Sequence, residues 1–179
     1  MKIKTVFYYG LFCSFLIYFS FSFDSFSNDY IPLDNKSNFK TKQFSSMVLF
    51  DLIEKYSDEY SVPKYIAYNV AFKETRYMGP FHWNYNPNQV SSVGAVGPMQ
   101  VLPKTCNWIN NSNYSKNKIM SDLELNVMTS MKLLNYLHKK YGNWSIVCGW
   151  YNTGRPVVND YGRYCATNLD YKSKWISLQ

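Results

Sequence analysis

Two runs decide how this chain reads: Glu74-Thr75-Arg76, and, beyond a stretch rich in Tyr, Asn and Trp, Ser91-Ser92-Val93-Gly94-Ala95-Val96-Gly97-Pro98-Met99-Gln100-Val101-Leu102-Pro103. Glu74 closes a helical pattern that opens at Ser61-Val62-Pro63, with Ser61 as N-cap candidate and Pro63 in the first turn. Tyr65, Ile66, Tyr68, Val70 and Phe72 carry that pattern forward. A lone carboxylate late in an amphipathic helix is usually a solvated surface group. Here an apolar helix precedes it, a glycine-rich loop follows, and aromatics crowd both sides. Such surroundings desolvate a carboxyl group and raise its pKa, so that it can donate a proton to a leaving oxygen. In the second run Gly94 and Gly97 permit unusual dihedrals and close backbone approach, and Pro98 fixes the backbone just before Met99 and Gln100.

Upstream, apolar residues at Phe44, Met47, Val48, Phe50, Leu52, Ile53 and Tyr56 predict a helix from Phe44 onward. Gly79-Pro80 is read as the stop of the Glu74 helix, and Phe81 to Val90 as an exposed loop. Downstream, Pro103 starts a short helix through Trp108. Ser121-Asp122-Leu123-Glu124 is a capping box that opens the longest helix, carried by Leu123, Val127, Met128, Met131, Leu134 and Leu137 and ended by Gly142. Asn143 caps a further helix holding Ile146, Val147 and Trp150, and Asp170 to Leu178 reads as a last short one. There is no strand pattern and no internal repeat. The expected fold class is mainly α, a single domain of several helices packed around one core.

The first 27 residues read as an export signal. Lys2 and Lys4 precede an almost wholly apolar run from Val6 to Phe23, and Ser20-Phe21-Ser22 and Ser25-Phe26-Ser27 resemble small-x-small cleavage sites. The run is long for a cleaved signal and near the lower limit for a span, so an N-terminal anchor is the alternative. Residues 28–43 read as a linker and 44–179 as the folded domain. Both versions of the leader place the chain outside the cytoplasm, in the periplasm or cell envelope.

A chain of 179 residues is long enough for one domain with a sizeable core. The net charge is +7, and +6 once the two lysines and one aspartate of residues 1–27 are removed. That charge favours anionic partners, whether cell-wall polymers, membrane surfaces or nucleic acid, and does not choose among them. The absence of any Arg-rich run or nucleic-acid motif argues against nucleic acid. The 17 tyrosines supply flat faces with polar edges, suited to stacking on sugars or bases. Cys106, Cys148 and Cys165 form no CxxC pair, and His82 and His138 have no ligand spacing, so no metal site is expected. A Cys148–Cys165 disulfide with Cys106 free is one reading of the cysteines, and three unpaired thiols the other.

Taken together with Gly149-Trp150-Tyr151-Asn152-Thr153-Gly154, these runs resemble the soluble lytic transglycosylase, or lysozyme-like, family of peptidoglycan-cleaving domains. The run from Ser91 or Ser92 to Thr105 resembles the family's Ser-rich, Gly-punctuated Met-Gln motif, and Tyr151 to Gly154 its Ala-Tyr-Asn-Ala-Gly motif. The resemblance spans roughly residues 44–174 and implies a lysozyme-like helical fold around a substrate cleft. It implies Glu74 as the catalytic acid, with Ser91, Ser92, Met99, Gln100, Tyr151 and Asn152 binding substrate. The Tyr151 hydroxyl is expected to orient the acid and contact sugar. Three departures stand out: Thr75 where Ser is usual, Pro98 where Leu is common, and an apparent insertion at residues 78–89. Its Trp83 and Tyr85 either stack on sugar rings or cover the core.

A glycosidase usually needs two carboxylates. Asp122, Glu124 and Asp160 are the candidates for a second one, although surface or capping roles suit them better. The family resembles enzymes that use one Glu as acid and then base, cutting between N-acetylmuramic acid and N-acetylglucosamine to leave a 1,6-anhydro ring. Neither cofactor nor metal is implied. The implied partners are peptidoglycan glycan strands and, in specialised members, an envelope-spanning secretion, conjugation or pilus machine. A hydrolytic muramidase on the same scaffold and a non-catalytic peptidoglycan-binding module are the rival readings.

Overall fold

Leu49, Ile53, Tyr56 and Ser57, spaced to fall on one helical stripe, are buried together and define the inner face of the first helix. They belong to a computed structural model that describes residues 33–168, with side chains from residue 45 onward. The export signal at residues 1–27 and the terminal helix expected from Asp170 to Leu178 lie outside the described residues. Among the described residues there are seven helices: α1 (Leu33–Glu59), α2 (Lys64–Thr75), α3 (Pro103–Asn110), α4 (Lys116–Ser121), α5 (Leu123–Tyr141), α6 (Trp144–Thr153) and α7 (Asp160–Ala166). The extended pairings among them are isolated antiparallel bridges, Val90 with Val96 and Val96 with Val101. The mainly α fold class is as expected.

α5 is the central strut. Val127, Met131, Leu134 and Leu137 are all but fully buried on it, and it packs against α1, α3, α4 and α6. α7 lies against both α6 and α2. Gly149 and Gly162 make the α6–α7 side tight: a Cβ at Gly162 would sit 2.2 Å from the Ser145 carbonyl oxygen, and one at Gly149 1.8 Å from that of Val157. No side chain larger than hydrogen fits either place.

Several local expectations are corrected. α1 begins at Leu33, eleven residues before the pattern at Phe44, so residues 33–43 are helix rather than irregular linker. Once a packed segment nucleates a helix, extending it is cheap and needs no apolar stripe. This also makes α1, not α5, the longest helix. Met47 points outward at 45% exposure, while Leu49, absent from the expected stripe, is fully buried.

Ser61 is not the cap of α2. It takes a left-handed φ of 54° in the turn after α1, and Pro63 with ψ of 130° is the N-cap. α2 stops at Thr75, before Gly79-Pro80, because Arg76 adopts the left-handed conformation and returns its N–H to the Phe72 carbonyl. Asp122 alone, rather than a Ser121 box, caps α5 by accepting from the Leu125 N–H. α4 and α7 were not legible as helices. The caps at Asn143 and Gly142 are as read from the sequence.

Candidate active site

Glu74 sits in the last turn of α2, where the buried Ile66, Ala67, Val70 and Ala71 anchor the helix in the core. Burial raises its pKa above the ordinary glutamate value, against the opposing pull of a hydrogen bond from Tyr161 and the nearby Lys73 charge. The Tyr161 hydroxyl donates to Glu74 Oε1 at 2.5 Å. Its own pKa is held well above the usual phenol value by burial and by the Glu74 charge, so it remains a donor. Tyr161 lies in the first turn of α7, and the close glycine packing of α7 on α6 sets where that ring can be.

The neighbour Thr75 ties three parts together. Its buried hydroxyl is within hydrogen-bond reach of the Ala71 carbonyl at 3.2 Å, the Pro98 carbonyl at 2.9 Å and the Tyr85 hydroxyl at 3.1 Å. Tyr85 is almost fully buried and meets Tyr77 edge to face at 5.0 Å. The residues 78–89 are therefore not simply an exposed loop: Tyr85 covers the core, while Trp83 stays partly exposed against Phe81.

The Ser91–Gln100 loop is fastened from within and from below. Ser91 Oγ accepts the Ala95 N–H at 3.0 Å, and Ser92 is exposed. Gln100, at a left-handed φ of 49°, donates through Nε2 to the Gln89 and Gly97 carbonyls. Met99 is fully buried, so its side chain is core rather than an open cleft wall. Asn126 of α5, unremarked in the sequence, clasps the loop: Oδ1 accepts the Met99 N–H at 3.0 Å and Nδ2 donates to the Val96 carbonyl at 2.9 Å. Gly97, at a φ of 78°, leaves room for that amide; a Cβ there would lie 2.4 Å from Asn126 Nδ2.

Tyr151 does not orient the acid. Its hydroxyl donates to the Met99 carbonyl at 2.7 Å and lies 3.0 Å from Ser130 Oγ, which itself donates to the Asn126 carbonyl. The tyrosine on the acid is Tyr161, which carries no sequence signal beyond its place in an aromatic-rich tail. Tyr151 is still close enough for the Glu74 charge, after burial, to raise its pKa. Asn152 is exposed and accepts from Asn159 Nδ2 at 3.1 Å.

A cavity of about 320 Å³ opens beside this motif, walled by Val93, Leu102, Thr129, Leu133 and the Tyr151–Gly154 turn. Glu74 is not among its walls. Thus the loop, the Tyr151 motif and α5 share one cavity, and Glu74 with Tyr161 forms a pair near Tyr151.

The candidate second carboxylates are engaged elsewhere. Asp122 caps α5 and pairs with Lys118 at 2.9 Å. Glu124 pairs with Lys55 and accepts from Tyr56 at 2.5 Å. Asp160 pairs with Arg163 on the exposed side of α7. Among the described residues, no carboxylate is among the groups acting on Glu74. Cys106, Cys148 and Cys165 are buried free thiols, so Cys148 and Cys165 are not joined. No cluster of three or more potential metal ligands occurs among the described residues.

The family model of the transglycosylase SLT domain matches residues 51–173. The soluble lytic murein transglycosylase of Escherichia coli K12 is 28% identical over 125 residues, which cover 67% of this chain and 18% of that protein. The chain thus spans less than a fifth of the length of that relative. Among solved structures, the 70-kDa soluble lytic transglycosylase from Escherichia coli aligns with a TM-score of 0.50 and 26% identity, over 58% of this chain and 16% of its own. Its complex with bulgecin A aligns with a TM-score of 0.54 and 21% identity, over 72% and 24%. An inactive mutant of lytic transglycosylase Slt from Pseudomonas aeruginosa gives the same TM-score and coverage at 15% identity, a likeness of fold alone.

Proposed function

This chain belongs to the transglycosylase SLT domain family, and on that premise we propose that it is a peptidoglycan lytic transglycosylase with Glu74 as its acid and then its base. The observation that carries the reading is Glu74 itself: a carboxyl group desolvated at the end of a buried helix, with its pKa raised and a tyrosine hydroxyl fixing one oxygen. A protonated carboxyl donates to the glycosidic oxygen between N-acetylmuramic acid and N-acetylglucosamine. With the other acids engaged elsewhere, the substrate's acetamido group stabilises the positive centre. The resulting Glu74 carboxylate, held by Tyr161, then takes the proton of the muramic acid 6-hydroxyl as that oxygen closes the 1,6-anhydro ring.

Ser91, Ser92, Gln100, Tyr151 and Asn152 contact the strand in this reading. Met99 serves through its backbone, as the link between the Asn126 clasp and the Tyr151 hydroxyl. The apolar leader at residues 1–27 supports export to the envelope, where the strand is found. Opening the wall for a secretion, conjugation or pilus machine is one use of such chemistry.

The test is a digest of purified peptidoglycan read by mass spectrometry. Anhydro-muropeptides that vanish with Glu74→Gln are expected. Reducing-end products would instead make the chain a hydrolytic muramidase. Wall binding without any products would make it a binding module.

A further inference from the structure

Exposed apolar side chains gather on one face, beyond the residues given any role above. Val93 is 76% exposed, Trp108 51%, Tyr136 42% and Leu102 39%. Val93 and Leu102 form the mouth of the cavity beside the Tyr151 motif. Trp108 on α3 and Tyr136 on α5 stand just outside it. Trp108 is three residues beyond Thr105, and Tyr136 three beyond Leu133, and both Thr105 and Leu133 are cavity walls. Residues three apart on a helix are surface neighbours. The two aromatics therefore lie about one helical turn, roughly 5 Å, past the cavity wall. They meet across the α3–α5 gap as a T-shaped pair with ring centroids 5.2 Å apart.

We propose that Trp108 and Tyr136 form an aromatic platform that stacks a sugar ring of the bound glycan strand, beyond the cavity and outside the catalytic motifs. This deepens the lytic transglycosylase reading and rests on it for the identity of the strand. In a T-shaped pair the edge of one ring meets the face of the other, so ring surface remains for a third flat group. Neither the indole N–H nor the Tyr136 hydroxyl has a hydrogen-bond partner among the described residues, which leaves both polar edges for sugar hydroxyls. The cavity beside the pair has no charged side chain in its walls, which suits the neutral rings of a glycan better than its acidic peptide stems. Exposed aromatics continuous with a cavity mark a binding surface more strongly than scattered ones do.

The experiment compares the full chain carrying Glu74→Gln with the same chain carrying Trp108→Ala or Tyr136→Ala in addition. Each is titrated with peptide-free glycan strands and with the free disaccharide, and its thermal midpoint is recorded. Either aromatic substitution is expected to lower the ratio of strand to disaccharide affinity about tenfold, roughly 1.4 kcal/mol. The two residues lie on different helices, so a misfolded Trp108→Ala protein leaves the decision to Tyr136→Ala. Unchanged ratios, or no strand binding by the Glu74→Gln protein, overturn the platform. Because this readout involves no turnover, it stands apart from the product assay: a muramidase with the platform would pass here and fail there.

Discussion

The Tyr161 hydroxyl donates to Glu74 Oε1 at 2.5 Å, across 87 positions of sequence. That bond joins the end of α2 to the start of α7. It also works against burial: desolvation raises the Glu74 pKa, and the donated proton stabilises the charged form and lowers it. Glu74 is thereby held between two opposing influences, protonated more readily than an exposed glutamate while its charged form keeps a hydrogen-bond donor, the balance that the proposed acid-then-base role needs.

Removing the hydroxyl shifts that balance in one direction. Tyr161→Phe takes away the group that favours the carboxylate, so the Glu74 pKa rises further. The alkaline limb of the pH–activity profile, where the acid loses its proton, is expected to move to higher pH. The base step loses a partner at the same time, and turnover at the optimum falls about tenfold or more, within the range of acid–base contributions. A profile that kept its limb would mean that Tyr161 merely packs.

Glu74→Gln is expected to stabilise the fold while abolishing turnover. A carboxyl whose folded pKa lies above its unfolded value binds more protons when folded. Its contribution is full below the unfolded pKa and is lost as pH rises through the folded one. Near neutral pH the native protein therefore carries a desolvated charge that glutamine lacks. The gain is on the order of 1 kcal/mol, the scale of stability–activity trade-offs. Thermal unfolding of both proteins from acid to neutral pH checks this: the gap opens as pH rises and closes in acid.

Asn126→Ala releases the loop. It strips the buried Met99 N–H of its partner, while the Val96 carbonyl loses one of its two donors and keeps the Val101 N–H. A buried polar group left unmatched costs about 1–3 kcal/mol. A lower urea midpoint is expected, together with loss of activity although Asn126 touches neither Glu74 nor Tyr161. Full activity in a destabilised Asn126→Ala protein would show that the loop's position does not matter to the reaction.

Gly162→Ala tests the α6–α7 packing. The new methyl group meets the Ser145 carbonyl oxygen and the Gly149 nitrogen, both backbone atoms of α6, so α7 has to move. Overpacking of this kind costs about 1–3 kcal/mol. Because Tyr161 is the adjacent residue, activity measured well below the unfolding midpoint is expected to fall as well. A variant that lost stability and kept its turnover would separate α7 from the site.

What the sequence by itself determined is what short-range chemistry determines. The helical class, the Asn143 and Gly142 caps, the Pro103 start of α3 and the amphipathic face of α5 follow from spacing and local dihedral preference, and all are present. The motifs around Glu74, Gly94–Gln100 and Tyr151–Gly154 were legible through their joint resemblance to a known family, since each alone has ordinary structural uses. The tertiary structure decided which groups meet. No local pattern distinguishes Tyr161 from the other 16 tyrosines; it sits in α7, which packs closely on α6 at Gly162 and on α2, the helix that carries Glu74. Asn126 reads as one more polar residue in a helix until the loop descends onto it. The Tyr151 hydroxyl, expected on the acid, is claimed by the Met99 carbonyl, because a buried donor bonds whatever acceptor the packing brings within 3 Å of it. Hydrogen bonds between distant segments depend on how helices pack, and that information is spread over the whole core rather than written beside the residues that use it.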